Sequence, residues 1–190
     1  MAESPCSGES VLTAENAALE MYRFAALMLG SESEAQRLVE STVASVEIDP
    51  CANPSAAKGL VRERVLQGAL EIMHRHDPAS FASVPAVDAP SACLEEEEDA
   101  GPVSAARLSD LVSGAGRGRL RDWLGCLSQA QRAVFVQRAV LGQDNAATAS
   151  AFNRFARPAT WTADAVGRLF RQALCSLASS LAHAETAVHA

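Results

Sequence analysis

An all-α fold in two small helical modules is what this chain of 190 residues predicts, and three observations predict it. Apolar residues recur at i, i+3, i+4 and i+7 over several long stretches, whereas strand-type alternation of useful length occurs nowhere. Capping residues and glycines punctuate those stretches where helix ends should fall. Aromatics make up only 5% of the chain while Ala, Leu and Val recur, a composition suited to helices packed through aliphatic seams.

The first helix is expected over 14–29, AENAALEMYRFAALML, with Thr13 as N-cap and Gly30 just past its end. Ser33-x-x-Gln36 has the spacing of a capping box and opens a second helix, with Ala35, Leu38, Val39, Thr42, Val43 and Val46 on one face. Pro50 interrupts; Asn53 then offers an N-cap, with Pro54 at the first helical position. The third helix, 54–75, carries Leu60, Val61, Val65, Leu66, Ala69 and Ile72 or Met73 on its inner face. These three helices make the first module, residues 1–76.

From Asp77 the run DPASFASVPAVDAPSACLEEEEDAGP is rich in Pro, Ser and Ala and ends in a four-Glu block, a composition that does not pack. With a short helix at 104–113 and the break GAGRG, residues 77–116 are expected to be a flexible acidic linker. The Glu block reads as a solvated spacer or, alternatively, as an internal charge mimic covering a basic neighbour. Beyond it, Leu120, Trp123, Leu124 and Leu127 form a short amphipathic segment. Ser128-x-x-Gln131 is a second capping box, opening QAQRAVFVQRAVL and closing at Gly142. Asp144 caps NAATASAFNRF, which stops before Arg157-Pro158, and Thr160 or Thr162 caps a long final helix over 162–183. Residues 117–190 are the second module.

Charge is unevenly spread. The net charge is −7, but it divides into −5 over residues 1–76, −7 over 77–116 and +5 over 117–190, where nine Arg face four acids. A basic C-terminal module on an acidic remainder points to an anionic partner for that half alone. The five cysteines are scattered, with no C-x-x-C pair, so neither a zinc site nor a disulfide framework is expected. His74 and His76 flank Arg75 without a third ligand nearby, which suits a solvated helix end. No nucleophile–base set, phosphate loop or metal spacing occurs, so neither catalysis nor a cofactor is expected. The start MAESPCSGES is not that of a secretory signal, and no run approaches the ~18 apolar residues of a membrane span. A soluble, cytoplasmic protein without membrane contact is expected.

The order helix, helix, Gly, short helix, turn, long helix in the second module is that of a helix-turn-helix, whose last helix offers its first turns to the major groove. Thr160, Trp161, Thr162 and Asp164 fall at that tip, and Arg154, Arg157, Arg168 and Arg171 surround it. Arginine suits phosphate contacts, and Thr or Asp suits base edges. Trp161, Val166, Leu169, Phe170, Leu174 and Leu177 equally make an inward core stripe. One helix can carry both.

The stretch LRDWLGCLSQAQRAVFVQRAVLGQDNAATASAF, followed by TADAVGRLFRQALCSL, resembles region 4 of extracytoplasmic-function sigma factors. Leu124, Leu127, Arg132, Val134, Phe135, Arg138, Gly142, Ala149, Val166, Arg168, Leu169, Arg171 and Ala173 occupy matching places. MYRFAALMLGSESEAQRLVESTV resembles sigma region 2 through Tyr22, Arg23, Ala25, Leu29, Gly30, Ala35, Leu38, Val39 and Thr42. The chain departs from the family at Arg37 and Glu40, where Asp and Gln are usual, and NRFARPATW lengthens the helix-turn-helix connection. Residues 46–76 lack the basic and aromatic cluster that holds a melted strand. The resemblance implies a protein that binds RNA polymerase core through Leu38, Val39, Glu40 and Thr42 at the clamp. It also implies that promoter DNA is read through Thr162, Asp164, Arg168 and Arg171. The alternative is a sigma mimic that engages an anti-sigma factor or polymerase without reading promoters.

Overall fold

A computed structural model of the chain describes residues 8–47, 53–82, 110–111, 116–154 and 160–188, the side chains of 8–14 and 184–188 excepted. The described residues are helical and contain no strand, so the fold is all-α. They divide into two compact units, residues 1–73 and 74–190.

The first unit is built from α1 (Gly8–Leu29), α2 (Glu32–Ser45) and most of α3 (Pro54–His76). Helix α1 begins at Gly8, so Thr13 lies inside the helix and is not its cap. Gly30 ends it in the left-handed region at φ 71°, a conformation only glycine adopts freely. The chain is therefore extended at Ser31, two residues earlier than the Ser33 expected to start α2. Ser31 accepts from the Glu34 amide N–H at 3.3 Å, with Glu32 and Glu34 in the first turn complementing the helix dipole. Asn53 caps α3 as expected, accepting from the Ala56 N–H at 3.1 Å. Met21, Phe24, Met28, Ala35, Val65, Ala69 and Leu70 form the core. Val43, expected on the inner face of α2, is 49% exposed instead. It stands about 80° round the helix from Ala35, at the margin of the stripe.

The second unit contains the end of α3, α4 (Pro78–Ala82), α5 (Arg117–Gly125), α6 (Gln129–Phe135), α7 (Asn145–Asn153) and α8 (Ala163–Val188). The capping box of α6 is present in full, Ser128 with Gln131. Its last turn widens into a π-turn over Val136–Val140, in which the Leu141 N–H donates to the Val136 carbonyl. Gly142 then reverses the chain at φ 65°, and Asp144 caps α7 through the Ala147 N–H at 2.7 Å. Thr162 caps α8 through the Ala165 N–H at 3.2 Å.

The start of the expected linker is not a linker. Residues 78–82 form α4, whose Phe81 is fully buried. Asp77 caps this short helix by accepting from the Ser80 N–H. The acidic run and most of the helix expected over 104–113 lie outside the described residues; Asp110 and Leu111 are helical and Leu111 is buried.

Candidate nucleic-acid interface

The α7–α8 pair is assembled from the inside outward. Trp123 on α5 packs edge-on against Phe135 of α6, centroids 4.8 Å apart, and its indole N–H donates to Ser176 Oγ of α8. Along α8 the residues Ala165, Val166, Leu169, Ala173 and Leu177 are buried. At about 100° per residue they span one side, and Asp164, Arg168, Arg171 and Cys175 fall on the opposite side. Asp164 and Arg171 are exposed and Arg168 is half-buried. The inward stripe and the outward polar face therefore coexist on α8.

Helices α7 and α8 cross closely at Gly167. A Cβ there would meet Asn145 Nδ2 at 3.0 Å and Arg171 Nη1 at 3.6 Å. Asn145 opens α7 and its buried Oδ1 has no hydrogen-bond partner. The crossing thus brings the first residue of α7 beside the Arg171 guanidinium.

The lengthened connection is closed at its ends by one side chain. Asn153 Nδ2 donates to the Trp161 carbonyl and Asn153 Oδ1 accepts from the Trp161 N–H, both at 2.8 Å. Trp161 itself is 2% exposed. It stands edge-on to Phe152 with centroids 4.8 Å apart, and its indole N–H donates to the Phe81 carbonyl at 3.2 Å. Trp161 is therefore a core residue and offers no ring to a partner, unlike its expected place at the tip. Thr160, Thr162 and Asp164 are exposed, as is Arg154 at the end of α7, while Arg157 lies outside the described residues.

The positive charge available to a partner is smaller than nine arginines suggest. Arg132 is 8% exposed and its Nε donates to the Leu124 carbonyl at 2.8 Å. Burial pushes its guanidinium pKa below the ordinary value, partly offset by nearby Cys126. Arg138 lies over the Phe170 ring at 5.2 Å and donates to the Gln143 carbonyl. Arg132 is an internal strut, and the half-buried Arg138 is engaged by Phe170 and Gln143. Arg119, Arg121, Arg154 and Arg171 are exposed, and Arg117 and Arg168 half-buried.

In the first unit, the residues expected at a polymerase surface do not share one exposure. Val39 and Thr42 are each 7% exposed and belong to the core. Leu38 is half-buried against α3, where its Cδ1 would lie 2.6 Å from a Cβ on Gly68. Glu40 is exposed and accepts from Gln36 Nε2 at 2.7 Å. The 3.6-residue periodicity that marked Val39 and Thr42 is a core signature, and it outweighs their membership of a motif. Val43, exposed beside Glu40, is the surface residue that this reasoning missed.

Cys175 is disulfide-bonded, a pairing the scattered cysteine spacing did not indicate, whereas Cys126 is free and exposed. Scattered spacing carries no information on which cysteines meet in space. A cavity of about 260 Å³ between α5 and the C-terminal half of α8 is lined by Leu111, Arg119, Asp122, Trp123, Cys126, Leu177, Ser180 and Leu181. Among the described residues no group of three or more His, Cys, Asp or Glu is placed to hold a metal, and no helix is long and apolar enough to cross a membrane. The chain matches no family model, no curated protein and no solved structure.

Proposed function

We propose that this chain is a sigma-factor-like transcription initiation protein, which binds RNA polymerase core with its first unit and reads promoter DNA through α7 and α8. The observation that carries the reading is the outward face of α8. Asp164, Arg168 and Arg171 stand opposite a buried stripe, behind an exposed Thr162 cap and a connection closed by Asn153. A basic, exposed face on the second helix of such a pair is the arrangement that enters a major groove. With Arg132 buried and Arg138 engaged by Phe170 and Gln143, the phosphate contacts fall to Arg168, Arg171, Arg154 and the exposed part of α5. On the first unit, Glu40 and Val43 with the outer edge of Leu38 are the polymerase-facing surface of α2, since Val39 and Thr42 are buried.

The second reading is a sigma mimic that binds an anti-sigma factor or polymerase without reading promoters. It is favoured by α3, which contains no Phe, Tyr or Trp on which an unpaired base would stack. Transcription in vitro by core polymerase plus the full chain, on a library of genomic fragments, separates the two. Initiation at defined sites supports the sigma reading. Binding to core without initiation, and without salt-sensitive binding to duplex DNA, establishes the mimic.

A further inference from the structure

We propose that α4 is a strap that sets where α8 begins, with Asn153 and Trp161 as positioning residues for the DNA-reading face; this rests on the helix-turn-helix reading above. Helix-turn-helix connections are typically three or four residues long, and so fix the second helix by their own shortness. Here the connection runs from Arg154 to Thr162, and a loop of that length leaves many orientations open to the helix that follows. Contacts from elsewhere have to choose one.

The strap supplies them through backbone groups that helix ends leave unpaired. Phe81 lies in the last turn of α4, where carbonyls lack an intrahelical partner, and its carbonyl accepts the Trp161 indole N–H. Ser80 Oγ accepts from the Ala130 N–H in the first turn of α6 at 2.8 Å, where amides are likewise unpaired. The Phe81 ring stands edge-on to Phe152 at 5.4 Å, and Phe152 in turn to Trp161. One short helix thus joins α6, α7 and the residue before the α8 cap. Asn153 holds that same residue by its backbone. Thr162 and Asp164, the residues suited to base edges, follow Trp161 by one and three residues, so a tilt at Trp161 misplaces the base-reading turn.

The test uses the full chain, Trp161→Phe and Asn153→Ala, with two probes. One is a duplex selected by the wild-type chain from a random 20-base-pair pool, about two helical turns; the other is a random-sequence duplex of equal length. Trp161→Phe keeps a ring against Phe152 but removes the indole N–H together with the rest of its five-membered ring. It is expected to lower the selected-to-random affinity ratio about fivefold, the scale of one neutral hydrogen bond, with the salt slope unchanged. Amide exchange at Ala165 and Val166 should quicken by a similar factor. Equal losses on both duplexes, or unaltered ratio and exchange, overturn the strap. If Asn153→Ala fails to fold, Trp161→Phe decides alone. If the wild-type chain selects no duplex, DNA reading falls, and the exchange rates still decide whether α4 positions α8.

Discussion

Truncating Phe81 to Ala probes a place where local composition and tertiary packing disagree. A side chain in a flexible linker costs nothing to remove. Phe81 is fully buried, tilted against His74 at 5.8 Å and edge-on to Phe152 at 5.4 Å. Its loss removes a whole buried ring and leaves a cavity, a change that costs about 3–5 kcal/mol. Phe81 is also the one buried residue of α4, and a helix that short does not persist without tertiary anchorage. For a unit of this size the cost corresponds to a fall of roughly 10–20 °C in Tm. Both tryptophans of the chain, Trp123 and Trp161, lie in the second unit, so their fluorescence during a thermal melt reports that unit and not the first. A fall of less than about 2 °C, well below the scale expected for a buried ring, would refute the burial and return residues 77–82 to the linker.

Arg168→Ala with Arg171→Ala is expected to weaken duplex binding and flatten its salt dependence by about two counterions, with helicity by circular dichroism unchanged; an unaltered salt slope means these arginines meet no phosphate. Gly167→Ala brings a methyl to 3.0 Å from Asn145 Nδ2, and this crowding outweighs the helical preference for Ala, for a net loss of about 1 kcal/mol. Adding Asn145→Ala should recover that loss in denaturant titration, and a purely additive pair would show that the two residues do not touch. Ser128→Ala removes the cap of α6 and should cost about 1 kcal/mol, read as a lower midpoint in urea with unchanged m-value.

Much of the helical framework was readable residue by residue because its causes are local. Asn53, Ser128, Asp144 and Thr162 each cap a helix that begins within two residues of them, since a side chain of that kind reaches only its own first turn. The start of α2 was misplaced from Ser31 to Ser33 for the same reason: two serines with similar local patterns compete, and the left-handed Gly30 decides between them. The π-turn after Phe135 has no pattern of its own in VQRAV.

The surface for partners was less readable. Periodicity separated the two sides of α8 correctly, because burial on a long helix follows geometry at 100° per residue. It did not tell an arginine left facing outward from one engaged within the fold, as Arg132 and Arg138 are. A guanidinium on a flexible stem can serve either purpose, and only its neighbours in space select one. Trp161 and Phe81 make the same point from opposite directions. The first stood at an expected tip and the second in an expected linker, yet they meet across 80 residues through one hydrogen bond. The helices and their caps were thus determined by the sequence itself, through interactions spanning a turn or less. Which side chains close the core, and so which remain for a partner, was decided by tertiary structure, because a contact between distant residues leaves no periodic trace in either segment.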